Sequence, residues 1–401
     1  MRFSFKNTFS LLLIKGCAIG LRLLAMLLLA GVSAPSEFAV IAFIFSAAEV
    51  LRLVIDLGLD TYLLREHSIK KDGRPISLGD VFFVKIAAMG FFSAFLYLLS
   101  GWLNPTLDTS HWLLIFGFAC APLLQNISTV FLQAKNELLR LLPLYFTAGV
   151  IGCLFVFFSV PFIDSTLVLF ILLCIEFFIA ALSIYFLRAN FRGSSFRLKE
   201  ALAIYKNSFA IGFAIIVGAS YAKLDVFFLA KMTSLGSMGV YALALRVLDP
   251  LMFVVGAYFS DVYAKMSAMP ATKSSHVTQL SYLNKSVVAI SGLTFIYICI
   301  AATGLFFYAK QYPNAHALVA LVGLSVFFKV RNLAYSTFII ANGQFKSMSK
   351  ISIYVFFLTL SSLYIGIYYF GIFGAALAVI FSEMLNTAIQ FLVARRIQKT
   401  L

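Results

Sequence analysis

The sequence predicts an all-α, polytopic membrane protein with about twelve transmembrane helices in two six-helix bundles and both termini in the cytoplasm. Three observations predict it. Apolar stretches long enough to cross a bilayer recur along the whole 401-residue chain, of which 62% is hydrophobic and 12% charged, with a mean hydropathy of +0.98. Lysine and arginine collect in alternate loops. A short polar signature introduces the first span of each half.

A helix needs about 20 apolar residues to cross a hydrocarbon layer roughly 30 Å thick, and it satisfies its own backbone groups there. The runs lack the alternation, in segments of about ten residues, that marks an outer-membrane barrel. Twelve spans follow: 9–31, 38–64, 78–103, 111–133, 142–160, 166–187, 207–230, 238–264, 286–307, 315–341, 351–369 and 372–394. The first resembles a secretory leader, with Arg2 and Lys6 before it and Val32-Ser33-Ala34 after it. It is too long for a leader's apolar region, Lys15 and Arg22 interrupt it, and many spans follow, so it reads as a retained helix.

The loops set the orientation. Arg2 and Lys6 precede the first span. Arg65, Lys70, Lys71 and Arg74 fill the second loop, Lys135 and Arg140 the fourth, and Arg188, Arg192, Arg197, Lys199 and Lys206 the sixth. Lys265, Lys273 and Lys285 lie in the eighth, Lys346 and Lys350 in the tenth, and Arg395, Arg396 and Lys399 in the tail. That places 21 cations on one side, against Lys231 and Lys310 on the other. The positive-inside rule puts the rich side in the cytoplasm. The outer loops are too short to hold a folded domain. Residues 1–188 form the first bundle, 189–206 a cytoplasmic linker with a short amphipathic helix, and 207–401 the second bundle. Shifting the chain by 200 residues lays Lys6-Asn7-Thr8-Phe9 on Lys206-Asn207-Ser208-Phe209 and Glu49 on Asp249. With six spans in each half, the repeats are parallel.

This layout excludes several classes. The net charge of +15 follows from the cytoplasmic loops, so no nucleic-acid partner is called for. Cys17, Cys120, Cys153, Cys174 and Cys299 fall singly in apolar spans and read as small hydrophobic side chains. His67, His111, His276 and His316 lie singly at loops or span ends and read as solvated, with no metal-ligand spacing. No nucleotide-binding loop, nucleophile elbow or D-x-D site is present. Trp102, Trp112, Tyr308, Tyr312, Tyr368 and Tyr369 read as an outer interfacial belt.

Eight cations lie within spans: Lys15, Arg22, Arg52, Lys85, Lys223, Arg246, Lys329 and Arg331. Each costs roughly 2.5–3.5 kcal/mol at the bilayer centre, so they are expected to face acids or a wet cavity, and they point to something negative. Lys15 and Lys85, near span ends, read as snorkellers. Span two carries Glu49, Arg52, Asp56 and Asp60 along one helical stripe. This is either a self-neutralised seam or a cavity wall whose acids exchange protons. Lys223 and Asp225 point to different faces of span seven. Arg246 can pair with Asp249 just before Pro250, as a structural ion pair or as part of a wall that bends. Lys329, Arg331, Asn332 and Tyr335 make a positive patch in span ten, for which Glu383 and Glu176 are lone acids in other spans. Arg22, Lys223, Lys329 and Arg331 have no good local partner and are the strongest candidates to meet an anion.

Ordered segments then resemble a family. Lys15-Gly16, Pro35-Ser-Glu-Phe-Ala39, Asp56-Leu-Gly-Leu-Asp60 and Leu64-Arg-Glu66 are similar to the first two spans of the O-antigen type polysaccharide flippases of the multidrug/oligosaccharidyl-lipid/polysaccharide (MOP) exporter superfamily. Lys223-Leu-Asp225, Ser237-Met-Gly-Val-Tyr-Ala-Leu-Ala-Leu-Arg246, Phe131-Leu-Gln-Ala-Lys-Asn136, Ala341-Asn-Gly-Gln-Phe-Lys346 and Gly371-Ile-Phe-Gly-Ala-Ala-Leu-Ala378 continue the likeness. Ala39 stands where the family often has glycine.

The resemblance implies a MATE/MOP-like pair of six-helix bundles in the bacterial inner membrane. It implies a transporter, not an enzyme, that flips an undecaprenyl-pyrophosphate-linked oligosaccharide to the periplasmic leaflet, with polymerase and other assembly proteins as partners. It needs no cofactor beyond a coupling ion, H+ or Na+. In this reading Arg22, Arg52, Lys223, Arg246, Lys329 and Arg331 line the anion-binding lumen, and Asp225, Asp249, Glu49 and Asp56 are the ion-coupling candidates. A cation-coupled multidrug exporter of the same superfamily is the first alternative, against which the central cations argue. A membrane-embedded O-unit polymerase or ligase is the second; it wants a long periplasmic loop that the chain lacks.

Overall fold

The computed structural model describes residues 20, 23–60, 62–63, 78–103, 108–135, 137–159, 164–187, 202–206, 208–209, 212, 216–217, 221–267 and 273–399. All regular structure among them is helical: α1 (Leu23–Val32), α2 (Pro35–Asp56), α3 (Leu78–Leu103), α4 (Thr109–Ala134), α5 (Leu142–Ser159), α6 (Ser165–Phe186), α7 (Leu224–Met232), α8 (Leu235–Ser267), α9 (Lys273–Tyr308), α10 (Ala315–Ala341) and α11 (Phe345–Lys399). By length and composition eight of these can cross a membrane, and the chain is a multi-pass membrane protein. The eleventh is two helices joined at Gly371, whose φ of 56° no side chain other than hydrogen adopts easily. Gly366 and Gly374 then face each other so closely that a Cβ on either would overlap the other's carbonyl. That packing makes the expected spans eleven and twelve a tight hairpin.

Helix ends follow local chemistry. Asp164 caps α6 by accepting the Thr166 N–H at 3.2 Å. At the end of α10, Gly343 donates to Ile340 and Gln344 to Ile339, at 3.0 and 3.1 Å. This is a Schellman closure built on Asn342-Gly343-Gln344. Helices α8 and α9, of 33 and 36 residues, exceed what a bilayer requires.

The chain divides into two compact units. One comprises Met1–Val32 with Ile41–Ala219, the other Ser33–Val40 with Ser220–Leu401. In the first, Ile127, Leu132, Tyr145, Ala148 and Ile179 pack α4, α5 and α6 together, while Leu59, Leu63, Val81, Val84, Val130 and Ile204 form a second apolar cluster. In the second, α10 lies at the centre and packs on α8, α9 and α11. The second unit also holds the turn before α2. Tyr312 and Gln311 donate to the Ser33 carbonyl at 3.1 and 3.3 Å, and the Tyr312 ring meets Phe38 edge-on. Gly239 presses against the Pro35 carbonyl, where a Cβ would not fit.

Several expectations are corrected here. Span two is not continuous to residue 64: Leu57 and Gly58 take φ values of 45° and 73°, so Asp56 and Asp60 stand on opposite sides of a break and not along one stripe. Span seven is interrupted by a 3-10 turn, Tyr221–Lys223, before α7. His276 is 2% exposed and packs edge-on against Phe338, because α9 starts well before the expected span and carries it into the protein interior. Of the expected aromatic belt, Tyr312 and Trp112 are buried within the protein, whereas Tyr368 and Tyr369 are exposed.

Candidate functional site

Each unit encloses a cluster of charged and polar side chains, built differently. In the second unit, the short helix α7 places Asp225 in its first turn, 4% exposed. The Tyr241 hydroxyl of α8 donates to Asp225 Oδ2 at 2.8 Å, and the Val226 N–H donates to Oδ1 at 2.8 Å. On α10, Asn332 donates its amide to Glu383 Oε2 at 2.6 Å and to the Glu383 carbonyl at 3.2 Å, and accepts from Thr387 at 2.7 Å. Glu383 is itself 4% exposed. Half-buried Lys329, three residues before Asn332, acts on both Asp225 and Glu383 through space, with a hydrogen bond to neither. Lys223 also acts on Asp225. Of the two lone acids expected to answer the span-ten patch, Glu383 is the one on which Lys329 acts, while Glu176 is bound by Gln125.

The other expected residues are dispersed. Arg331 is exposed, and two residues along a helix it cannot share a face with Lys329, so the positive patch is split. Arg246 donates to Asp249 Oδ2 at 3.0 Å, one turn along α8. Helix α8 runs on through Pro250, and the Tyr297 hydroxyl of α9 donates to the Val247 carbonyl at 2.6 Å beside it. Arg52 is half-buried and acts on Asp56; Glu49 is exposed on the same helix. Lys15 and Arg22 lie outside the described residues.

The first unit holds the larger surprise. Lys85 does not snorkel. It is 1% exposed, paired with Asp60 and with Asp56 (3.4 Å), and donates to the Leu123 carbonyl at 3.2 Å. Asn126 donates to the other Asp60 oxygen at 2.8 Å. The ammonium thus donates to Asp60 and to the Leu123 carbonyl and forms an ion pair with Asp56, so nothing drives it to the interface.

A shared device underlies both clusters. Gln125 of α4 donates to Glu176 Oε2 at 2.7 Å and to the Glu176 carbonyl at 3.0 Å. That repeats the Asn332–Glu383 bonds, and both pairs span the same 51 residues of chain. Amide and glutamate fall on the fourth and sixth expected spans of each half. At the position three residues before the amide, the second unit has Lys329 and the first has Pro122. Sequence reasoning missed Gln125, Asn126, Tyr241 and Thr387. The adjacent amides Gln125-Asn126 inside an apolar span were the available signal, since polar groups at that depth face protein.

Comparison with known proteins agrees with this architecture. The family described as "Polysaccharide biosynthesis protein" matches residues 4–264. No curated protein sequence matches the chain. Among solved structures, a lipid II flippase, MurJ, in an inward closed conformation aligns with a TM-score of 0.70 at 14% identity, covering 98% of this chain and 88% of that one. An inward-facing multidrug resistance MATE family transporter of the MOP superfamily gives 0.69 at 15% identity, covering 94% of each chain. A MOP superfamily transporter from Pyrococcus furiosus, described by a binding pocket of reverse polarity, gives 0.67 at 11% identity, covering 98% of this chain and 94% of that one. The chain thus shares its fold with these transporters, and it belongs to the polysaccharide biosynthesis protein family.

Proposed function

We propose that this protein is a flippase that moves an undecaprenyl-pyrophosphate-linked oligosaccharide from the cytoplasmic to the periplasmic leaflet of a bacterial inner membrane. It works by alternating access of two six-helix halves, coupled to H+ or Na+. Family membership and the flippase-like fold support the class. Lys329 carries the choice of substrate. An ammonium that acts on two carboxylates through space, with a hydrogen bond to neither, keeps donors for an incoming group. A pyrophosphate oxygen in low dielectric is the strongest acceptor available to it. Lys223, Arg246, Arg52, Arg331 and Arg22 are the further cations proposed to line the path. Asp225, Asp249, Glu49 and Asp56 are the proposed coupling groups.

The test is what accumulates when the chain is removed. Lipid-linked repeat units trapped in the cytoplasmic leaflet, restored by the native chain and not by Lys329→Ala at equal membrane level, support the proposal. Normal delivery by Lys329→Ala overturns the role of that lysine. Two buried carboxylates in the second unit, Asp225 and Glu383, favour one second reading, a cation-coupled drug exporter. Drug sensitivity with unaltered repeat-unit delivery is its signature.

A further inference from the structure

The break in the second span is costly, and the structure contains what holds it. Leu57, a non-glycine residue, sits at a φ of 45°, with Gly58 at 73° beside it. Such backbone costs on the order of 1–3 kcal/mol and persists only where surroundings impose it. Within a bilayer no water satisfies the groups a break exposes, and a continuous helix would need neither the strain nor the buried ions. The restraint comes from Lys85. Its ammonium binds Asp56, the last residue of α2, and Asp60, just beyond the break, and ties both to the Leu123 carbonyl of α4. Asn126 holds the outer oxygen of Asp60, and Asp56 Oδ2 accepts the Asp60 N–H at 3.4 Å. Gly212 lies against the Leu57 carbonyl, where a Cβ would overlap it. Every part of this arrangement lies within the first unit.

We propose that Lys85 is a positioning residue that pins a hinge in the second span, and that the span has a second, continuous-helix geometry reached when the pin is released. In the broken geometry the ammonium separates two carboxylates. Without it nothing bridges the two carboxylates across the break, and a continuous helix removes the strain at Leu57. In this proposal the first unit carries a bistable element where the second carries the half-buried ammonium of Lys329. The link to transport rests on the flippase reading; the hinge itself does not.

The experiment uses the full chain in proteoliposomes, with Cys17, Cys120, Cys153, Cys174 and Cys299 replaced by serine and spin labels at Ala47→Cys and Tyr62→Cys. A continuous helix separates these positions by about 22 Å along its axis. The native chain is expected to give a shorter distance, and Lys85→Met to move the population toward the longer one. Gly58→Ala should move it the same way with Lys85 in place, since alanine favours the helix and resists positive φ. Leu57→Gly added to Lys85→Met should restore part of the short population. Unchanged distances in both Lys85→Met and Gly58→Ala overturn the proposal and leave a static ion cluster. Because the distance needs no substrate, it stands or falls independently of the flippase reading, which a transport assay on the same vesicles tests separately.

Discussion

Replacing Asn332 by leucine removes two donated bonds to Glu383 and the acceptor for Thr387, with little change in volume. Gln125→Leu removes the matching two bonds to Glu176. Hydrogen bonds between membrane helices average about 0.6 kcal/mol, with a maximum near 1.7, and a carboxylate acceptor lies at the upper end. The expected cost is about 1–2 kcal/mol for Gln125→Leu and about 2–3 kcal/mol for Asn332→Leu. Each kcal/mol lowers the melting temperature by about 2–4 °C for a unit of this size. Function should separate the two variants far more than stability does. Released from Asn332, the Glu383 carboxylate can turn onto Lys329 and neutralise it; the first unit has Pro122 at that position and no ammonium to lose. Flipping of a fluorescent polyprenyl-pyrophosphate sugar in vesicles, read by a leaflet-selective quencher, is expected to fall at least tenfold, about 1.4 kcal/mol in the barrier, for Asn332→Leu. Gln125→Leu should stay within about twofold. Adding Glu383→Gln to Asn332→Leu removes the quenching charge and should recover much of the loss. If both leucine variants lose transport equally, or Glu383→Gln recovers nothing, the assignment of Lys329 as the distinguishing group is wrong.

Three further outcomes are expected. Burial, with Glu37 adding to it, holds the Tyr312 phenol above its usual range, so its neutral form is favoured in the folded state. The stability it contributes is present below the ordinary phenol pKa of about 10 and is lost as pH rises beyond it. Tyr312→Phe should cost about 1 kcal/mol at pH 7, and thermal melts should show the gap to the native chain closing only in the alkaline range. Gly239→Val forces a Cβ onto the Pro35 carbonyl and should raise amide hydrogen exchange across Ser33–Val40 while leaving α4 to α6 protected; unchanged exchange would show that the contact carries no load. Reporter fusions should place residues 195 and 399 in the cytoplasm and residue 106 outside, and a periplasmic 195 would sink the proposed topology.

Span positions were legible because apolar length and loop charge are local properties. The expected 78–103, 315–341 and 166–187 differ from α3, α10 and α6 by at most a residue at either end. The breaks were not legible. Asp56-Leu-Gly-Leu-Asp60 contains one glycine, which helices within proteins tolerate, and the groups that meet the break, Lys85, Asn126 and Gly212, lie far away in the chain. Lys85 was misread for the same reason. A cation near a span end can reach the interface or an acid, and the choice depends on residues 25 positions back and 38 positions ahead in the chain. Arg246 with Asp249 formed as expected because three residues on one helix fix the geometry locally. Lys329 and Arg331 looked alike in composition, yet helical periodicity already placed them on different faces.

The internal repeat turns this uneven legibility into an argument about roles. Both units contain an amide–glutamate clamp, Gln125 with Glu176 and Asn332 with Glu383, at the same spacing along the chain. What differs cannot be required by packing alone, since the other half packs without it. The second unit adds Lys329, Asp225 and Tyr241 around its clamp; the first adds Asp56, Asp60 and Lys85 around a break in its second span. One addition is an ammonium that acts on two carboxylates through space, and the other is an ammonium bound to Asp60 and the Leu123 carbonyl and ion-paired with Asp56 across a strained backbone. A carrier needs a place that takes hold of an anion and an element that changes shape; in the proposed reading Lys329 in the second unit supplies the first and the break pinned by Lys85 in the first unit supplies the second.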